Sequence, residues 1–404
     1  MPTLDGESAP DYPVARSCPY ATPELYENFR DQGGLHRVTI WNGDRPHLVT
    51  RHEDALATLS EDSLSADVLI EGFPLNSPFQ ALYEGGVFLR TDNPEHNRIR
   101  RMLTREFTVK NAFGMKAEIE QLVDELLDVV LADEGPVDLI SSFASPVPGV
   151  MISKIVGVPE ADREHFTQMV TPLADLSATM EQKLGAGKEL TEYFASLVKL
   201  KRESPGTDLT SRVLRDFVET GQLTEAELGR ILLVLFGAGQ ETTANMLGLC
   251  ILALLEHPEQ LALLRADPSL APSAVEELLR YFSIALADPR RVATRDVEIG
   301  GCPVRAGEGV MVSLMAANHD PRAFGTDESG PDELDITRNP RNHLAFGYGV
   351  HQCLGQNLAR AELHVALVRL FERIPTLRLA VPFKELRFHD TALVYGLHTL
   401  PVTW

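Results

Sequence analysis

The fold of this chain is decided by the stretch Phe346-Gly347-Tyr348-Gly349-Val350-His351-Gln352-Cys353-Leu354-Gly355. Its three glycines bring one cysteine to the point where a helical pattern begins, at Gln356. Backbone N–H groups and the helix dipole stabilise negative charge at a helix start, so we expect the sulfur of Cys353 to be a thiolate. Such a thiolate either attacks a substrate or ligates a metal.

Composition narrows the class of protein. The chain has 404 residues, of which 44% are hydrophobic and 24% charged, as is typical of globular proteins. We expect one domain over residues 1–404, because no linker or internal repeat divides the sequence. The net charge of −21 argues against nucleic acid or a membrane surface as a partner.

The cysteines and the amino terminus indicate the compartment. The four cysteines show no C-x-x-C spacing, so we expect neither a disulfide framework nor a structural zinc site. Residues 1–7 contain no basic stretch and no apolar run, so we expect no signal peptide or membrane anchor. These observations predict a cytoplasmic protein.

Periodicity predicts a chain that is mostly helical. We expect a short helix at 23–31, mostly helix from 94 to about 265, a helix at 273–281 and another after the cysteine, to about 373. Strands are expected in a hairpin over 38–50, at 297–299 and 310–313, and near 376–380 and 393–403. Residues 61–92 and 318–342 are expected to be irregular.

A long apolar helix is expected in the middle of the chain. Thr224 and Glu227 form a capping-box pattern, and the helix that they open is expected to reach Glu256. It is apolar on all sides, which predicts burial, but residues 240–245 form a polar island. Gly237 and Gly239 each cost about 1 kcal/mol relative to alanine. We therefore expect a local groove or bulge that admits a small molecule.

The cysteine stretch fills all six specified positions of Phe-Gly-x-Gly-x-His-x-Cys-x-Gly, the haem-ligating pattern of the cytochromes P-450. The resemblance spans about Cys18 to Trp404 and is to the soluble bacterial type, in particular the actinobacterial branch that tailors antibiotics and oxidises xenobiotics. It implies a mainly α cytochrome P-450 fold with a smaller antiparallel β region. It also implies haem b (iron protoporphyrin IX) as cofactor, with Cys353 as ligand of the iron.

The polar island resembles the oxygen-activation motif of this family, which reads here Ala238-Gly239-Gln240-Glu241-Thr242-Thr243. The resemblance implies that Ala238 contacts the haem, that Thr242 hydrogen-bonds the bound oxygen and that Glu241 relays protons. The alternative is a polar patch satisfied by neighbouring backbone.

Several cationic side chains match positions that hold the haem propionates in the family. His96 and Arg100 resemble its His-x-x-x-Arg clamp; the alternative is a solvated basic face. Arg291 matches an arginine for the other propionate, with the adjacent Arg290 as an alternative. His351 completes the set, and His343 is a weaker candidate.

Three further residues match a structural element of the family. Glu277 and Arg280 form its Glu-x-x-Arg pair, and Arg338 is the candidate third member. The resemblance implies that they hold the fold around the haem. Alone, such a pair is most often a surface salt bridge.

The reaction that the resemblance implies is insertion of one oxygen atom of O₂ into a C–H or C=C bond. Electrons are expected from NAD(P)H through ferredoxin reductase and ferredoxin. Arg98, Arg101 and Arg105 offer the ferredoxin a local basic patch. The protein is expected to be a monomer. The substrate is expected to be a sizeable apolar small molecule. Its expected contacts are Phe73, Leu75, Phe79, Val87, Phe88, Leu89, Val234, Leu235, Ala238, Ile284, Ala285, Leu286 and Val394; the alternative for each is ordinary core.

Other readings remain open. A haem-thiolate peroxygenase or nitric oxide reductase tends to lose the acid–alcohol pair, which is intact here. A non-catalytic haem sensor predicts ligand binding without turnover. A protein without haem would use Cys353 as a nucleophile and His351 as its base, which leaves the motif of the long helix unexplained.

Overall fold

The computed structural model describes residues 9–14, 16, 18–76, 87–162, 165–166, 168–169, 179–286, 289–326, 329–389 and 394–404. It divides into two compact units. The first unit comprises Met1–Asn97, Glu256–Cys353 and Arg387–Gly396, and the second comprises Arg98–Leu255, Leu354–Leu386 and Leu397–Trp404. The prediction of one domain over residues 1–404 stays a prediction.

A five-stranded sheet organises the first unit. Its strands lie in the order His36–Arg37, His47–Val49, Gly309–Val312, Arg290–Ala293 and Leu64–Ser65. Neighbouring strands run antiparallel, except that His47–Val49 and Gly309–Val312 are parallel. A separate two-stranded sheet pairs Val297–Ile299 with Cys302–Val304.

The predicted hairpin near residue 43 is confirmed by the antiparallel pairing of His36 with Leu48. Its first strand, His36–Arg37, begins two residues before the predicted hairpin over 38–50. The pairing continues beyond that strand, since the N–H of Val38 donates to Pro46 at 3.2 Å and that of Ile40 donates to Asp44 at 3.0 Å, while Thr39 pairs on its other side with Pro10 and Tyr12.

Two helices of the first unit, His52–Ser60 and Leu314–Asn318, share an apolar cluster with Val49, Val310 and Leu344. The α-helices of this unit are Glu24–Gln32, His52–Ser60, Pro258–Ala266, Ala271–Phe282, Leu314–Asn318 and Pro321–Phe324. The last of these was expected to be irregular. Asp320 accepts a hydrogen bond from the N–H of Arg322, and Pro321 occupies the first helical position, so a single helical turn forms there.

Arg16 fixes the amino-terminal segment to the first unit. Its Nη2 donates to the carbonyls of Phe282 and Ser283, at 2.9 and 3.1 Å. The guanidinium also lies 4.1 Å from the ring centroid of Tyr395. Burial lowers the pKa of Arg16 to about 10, which leaves it cationic at neutral pH.

The second unit is mainly helical. Its α-helices are Val109–Gly114, Lys116–Leu131, Pro146–Val156, Met180–Glu203, Leu209–Val213, Glu225–Glu256 and Gln356–Arg373, while Glu95–Leu103 begins in the first unit. A small antiparallel sheet has the strand order Val137–Asp138, Pro401–Thr403, Arg378–Leu379. Two π-helical turns, Ile140–Ala144 and Leu214–Val218, interrupt the regular helices.

The long helix Glu225–Glu256 confirms the predicted central helix and its cap. The N–H of Glu227 donates to Thr224 Oγ1, and Glu227 Oε2 accepts from the N–H of Thr224. The expected bulge is absent, because the helix is α-helical throughout its 32 residues. Gly239 serves packing instead: a Cβ there would lie 3.2 Å from Cγ1 of Ile152, in the helix Pro146–Val156.

No single helix in the described parts of the chain is long and apolar enough to cross a membrane. Glu225–Glu256 and Pro258–Ala266, which a break separates, meet the length and composition criteria only as a pair.

Candidate haem site

The cysteine loop, residues 344–355, is held by its own backbone. The N–H of Cys353 donates to the carbonyl of Phe346 at 2.8 Å, and that of Gly347 donates to Leu344 at 2.8 Å. The following helix begins at Gln356, so Cys353 lies just before its first turn. Among the four cysteines, Cys353 alone is an exposed residue.

Two glycines of the loop have backbone conformations that other residues rarely adopt. Gly347 has a φ of +67° and Gly349 a φ of +71°. At Gly349 a Cβ would also lie 2.4 Å from the carbonyl oxygen of Leu59, in the helix His52–Ser60. The glycine spacing of the motif thus reflects backbone curvature at both positions and a close approach at the second.

His96 and His351 lie together in the first unit. Their ring centroids are 4.1 Å apart, and Phe88 stacks near His96 at 6.4 Å. His96 is fully buried, in the first turn of the helix Glu95–Leu103. The sequence predicted that both histidines bind the cofactor, and the structure brings them into contact.

The two candidate arginines for the second propionate differ in their surroundings. Arg290 donates to the carbonyl of Pro74 at 3.0 Å. Arg291 points to the other face of the strand, because side chains alternate along it. Burial lowers the pKa of Arg291 to about 10, and the nearby charge of Arg90 acts in the same direction, while Asp92 opposes it. Arg290 and Arg291 therefore face opposite sides of the strand, and Arg291 stays the predicted propionate contact.

The remaining basic candidates are placed as follows. Arg100 lies one turn after His96 on the same helix and is half-buried, whereas Arg101 and Arg105 are exposed. Arg98 donates to the carbonyl of Gln222. His343 is engaged with Glu276, whose Oε2 lies 3.0 Å from its Nε2.

Glu277, Arg280 and Arg338 form a buried ionic cluster. The carboxylate of Glu277 accepts two hydrogen bonds from Arg280, at 2.7 and 2.8 Å, and one from Arg338 at 3.1 Å. The side chains of Glu277 and Arg280 are 0% exposed, and that of Arg338 is 4% exposed. The solvent-exposed salt bridge that such a pair usually forms is therefore excluded.

The arginines of this cluster also hold irregular backbone. Arg280 donates to the carbonyls of Asn318 and Pro331, at 2.9 and 2.7 Å. Arg338 donates to the carbonyls of Phe324, Gly330 and Glu333. A buried cation is stable only when its donors are used, and here they support the segment that leads to the cysteine loop.

In the second unit, the long helix presents one accessible face at its centre. Gly237, Ala238 and Glu241 are exposed and Thr242 is half-buried, whereas the helix after them is largely buried. Thr242 Oγ1 donates to the carbonyl of Ala238 at 2.7 Å. Residues three and four apart share a helix face, so the motif places a carboxylate, a hydroxyl and a small side chain side by side.

The predicted substrate contacts fall into two groups. Phe73 and Phe88 are buried, and Phe73 packs with Val68 and Val292 in a core cluster. The half-buried or exposed positions are Leu75, Val87, Leu89, Val234, Ala238, Ile284, Ala285, Leu286 and Val394; Leu235 is buried. Ala285 and Val394 pair in an antiparallel bridge. Phe79 lies outside the described residues.

Sequence reasoning missed two buried polar residues. Glu362 is 2% exposed, in the helix Gln356–Arg373, and burial raises its pKa to about 8. Asn318 is 0% exposed and bonded at both ends of its amide. Asn318 belongs to the sequence Asn318-His319-Asp320-Pro321, whose family counterpart reads Asn-Arg-Asp-Pro, so a signal existed but no role was assigned.

These residues fit the haem that the sequence resemblance implies. The first unit supplies the exposed Cys353 and the buried side chains of His96 and Arg291, which can donate hydrogen bonds. A soft thiolate and donors for carboxylates are the groups that a haem requires.

Comparison with known proteins agrees with this donor set. The family model "Cytochrome P450" matches residues 34–375. The vitamin D3 dihydroxylase of Streptomyces griseolus is 46% identical over 399 residues, covering 98% of this chain and 97% of that protein.

Two solved structures are similar along almost the whole chain. Cytochrome P450 MoxA from Nonomuraea recticatena has a TM-score of 0.92 at 42% identity and covers 98% of both chains. The mycinamicin VIII C21 methyl hydroxylase of Micromonospora griseorubida, bound to mycinamicin VIII, has a TM-score of 0.87 at 39% identity and covers 98% of this chain and 100% of that one. These likenesses confirm the mainly α fold with its smaller sheets, and the chain belongs to the cytochrome P450 family of haem-dependent monooxygenases.

Proposed function

We propose that this monooxygenase hydroxylates, or epoxidises, a sizeable apolar small molecule, using electrons delivered by a ferredoxin and its reductase. The observation that carries the proposal is the exposed Cys353, held in a glycine-shaped loop beside the paired imidazoles of His96 and His351. We also propose haem b as the form of the cofactor, one domain over the whole chain, a monomer, and a cytoplasmic location.

The chain's own residues bind the cofactor in this proposal. Cys353 would ligate the iron as a thiolate, and the haem so held would supply the chemistry of O–O bond cleavage. His96, Arg100, Arg291 and His351 donate to the propionates. Glu277, Arg280 and Arg338 keep the segment before the cysteine loop in place and take no part in the chemistry.

Proton delivery is the task of the long helix. The overall reaction combines substrate, O₂, NAD(P)H and one proton to give hydroxylated substrate, water and NAD(P)⁺. Water formation consumes two protons, and this chain's residues would take both from solvent, since the proton released by oxidation of NAD(P)H returns to solvent at the reductase. Glu241 is exposed and one position before Thr242, so its carboxyl group takes protons from solvent, and the Thr242 hydroxyl passes them on.

The substrate class follows from the side chains that remain accessible. Ile284, Ala285, Leu286 and Val394 are half-buried, aliphatic and uncharged. Such a lining favours a largely apolar ligand. The names of two relatives, which refer to vitamin D3 and to mycinamicin VIII, support a molecule of considerable size.

A ferredoxin is the proposed electron donor. Arg101 and Arg105 are exposed on one short segment of a chain whose total charge is −21. An acidic partner would be attracted to this local patch, and salt would weaken the association. Reduction of the iron by a ferredoxin should therefore slow in Arg101→Glu, and the difference from the parent should shrink at high salt.

The deciding experiment is the spectrum of the reduced protein with carbon monoxide. The parent should show the red-shifted Soret band of thiolate ligation. Cys353→Ala should abolish this band, and Cys302→Ala, a control at a half-buried cysteine, should retain it. A histidine-type spectrum from correctly folded parent protein would overturn the proposal. If the parent shows the thiolate-type band, a screen of compound libraries for the low-spin to high-spin change of the haem iron would identify the substrate class.

A further inference from the structure

Asn318 connects two distant segments of the first unit. It is the last residue of the helix Leu314–Asn318 and is 0% exposed. Its Oδ1 accepts a hydrogen bond from the N–H of Leu344 at 2.7 Å, and its Nδ2 donates to Oγ of Ser283 at 2.7 Å. One buried amide therefore joins the start of the cysteine loop to the residue that ends the helix Ala271–Phe282.

The neighbours of Asn318 fix the orientation of its amide. The N–H of Leu344 can only donate, so it must face the oxygen. Ser283 Oγ donates its own proton to the carbonyl of Arg280 at 2.9 Å, which leaves its lone pairs for Nδ2. The amide cannot be flipped, and neither of its two hydrogen bonds can be removed, without leaving a buried polar group unsatisfied.

At the cysteine end, Leu344 is the base of the loop. It is 1% exposed, and its carbonyl accepts the N–H of Gly347 at 2.8 Å. Two positions after Leu344, the carbonyl of Phe346 accepts the N–H of Cys353. The hydrogen bond between Asn318 and Leu344 therefore positions the base of the loop that holds the sulfur of Cys353.

At the other end, Ser283 determines the path of the chain that follows. Its φ of +42° and ψ of +67° are left-handed, a conformation unusual for serine. Three groups hold it there: Asn318 and Arg280 at its hydroxyl, and Arg16 at its carbonyl. Ile284 comes next, and its carbonyl accepts the N–H of Tyr395 at 2.7 Å.

We propose that Asn318 is a positioning residue that couples the cysteine loop to residues 284–286, and thereby sets the place of the substrate relative to the sulfur. The coupling itself depends only on the hydrogen bonds that join Leu344, Asn318 and Ser283. Its role in substrate placement rests on the proposed function, in which residues 284–286 contact the substrate.

Hydrogen exchange measured by mass spectrometry on the haem-loaded protein tests the coupling. Ser283→Ala removes one hydroxyl and leaves Leu344 untouched, yet peptides covering 344–347 should exchange about ten-fold faster, because Asn318 loses one of its two anchors. Ser273→Ala is the matched control. It lies on the same helix and loses a hydrogen bond to the carbonyl of Ile336 at 2.6 Å, and it should leave 344–347 unchanged.

A spectral titration tests the consequence for ligands. Phenylimidazole, which needs room beside the iron, should bind several-fold more weakly to Ser283→Ala and Asn318→Ala, whereas imidazole should bind as it does to the parent. Both variants should keep the thiolate-type carbon monoxide band. If Asn318→Ala does not fold, Ser283→Ala alone decides.

The two possible failures are distinguishable. Unchanged exchange at 344–347 in Ser283→Ala would overturn the coupling while leaving the monooxygenase assignment intact. A parent protein without the thiolate-type band would overturn the proposed function, whatever the exchange rates show.

Discussion

The imidazole rings of His96 and His351 lie with their centroids 4.1 Å apart, one on the helix Glu95–Leu103 and the other in the cysteine loop. The second histidine is part of the motif that carries Cys353, and the first lies far away in sequence. A group held by both would be bound from two independent elements. This arrangement gives the proposed cofactor contacts a direct test.

His96→Phe should weaken haem binding while preserving the ring packing beside Phe88. A hydrogen bond to a charged group contributes about 1.5–3 kcal/mol, so haem loss should be roughly ten- to a hundred-fold faster. The measurement is the rate of haem transfer to apomyoglobin. Arg101→Ala, at an exposed position on the same helix, is the control and should lose haem at the parent's rate. Equal rates for His96→Phe and the parent would contradict the propionate role.

Thr242→Ala should uncouple electron consumption from product formation. Positioned proton transfer typically contributes about 10²–10⁴-fold to a rate, so product formed per NAD(P)H should fall by roughly ten-fold or more. Hydrogen peroxide should account for the NAD(P)H that is consumed without forming product. Both yields are measured with a compound found in the spin-state screen. The neighbouring Thr243 is buried, and Thr243→Val should remain coupled. Full coupling in Thr242→Ala would favour a peroxide-driven enzyme.

Arg338→Met should strongly destabilise the fold. Glu277 would keep Arg280 but lose its second cation, and removal of one partner from a buried ionic group costs about 3–5 kcal/mol. The free energy of unfolding, from urea denaturation, measures this cost. Arg305→Met is the comparison: Arg305 and Asp296 lie 2.9 Å apart but are 72% and 61% exposed, so the expected loss is below about 1 kcal/mol. A similar loss in both variants would contradict a structural role for the buried cluster.

Glu362→Gln should change how stability depends on pH. Burial raises the pKa of Glu362 from 4.5 to about 8, so the folded state keeps a proton that the unfolded state releases above pH 4.5. Stability should therefore fall as pH rises between 4.5 and about 8, by up to about 1.4 kcal/mol per pH unit. Glutamine cannot release the proton, so the variant should gain stability relative to the parent as pH increases.

Urea denaturation at pH 5 and pH 8 checks this expectation for Glu362. Glu372→Gln serves as the control, because Glu372 lies on the same helix with its side chain 61% exposed. It should not alter the pH dependence of the parent. A constant difference in unfolding free energy between Glu362→Gln and the parent at both pH values would sink the prediction.

The parts of the molecule that sequence predicted well are those encoded by local patterns. The loop from Phe346 to Gly355, the capping box at Thr224 and the three-residue spacing of Glu277 and Arg280 each specify their own backbone or face. The structure shows the loop, the cap and the ion pair where these patterns place them. Their roles in catalysis and binding stay predictions.

Features that depend on distant partners were not predictable from a single sequence. Of the groove or bulge expected near Gly237 and Gly239, the bulge was wrong: the helix is regular there, and Gly239 lies against Ile152 of another helix. The parallel pairing of His47–Val49 with Gly309–Val312 joins segments far apart in the chain. Asn318 lies in a family motif, but the motif carries no role for it, and only its two partners reveal its place in the molecule.

The contacts of Arg16 bear on how this protein can be handled. Its guanidinium supplies donors to the carbonyls of Phe282 and Ser283 and covers the ring of Tyr395. Trimming the chain past this arginine, by a protease or by a shortened gene, would strip those donors from the corner that leads into residues 284–286. A purification tag is therefore better added without removing Pro10, whose carbonyl pairs with Thr39, or Arg16.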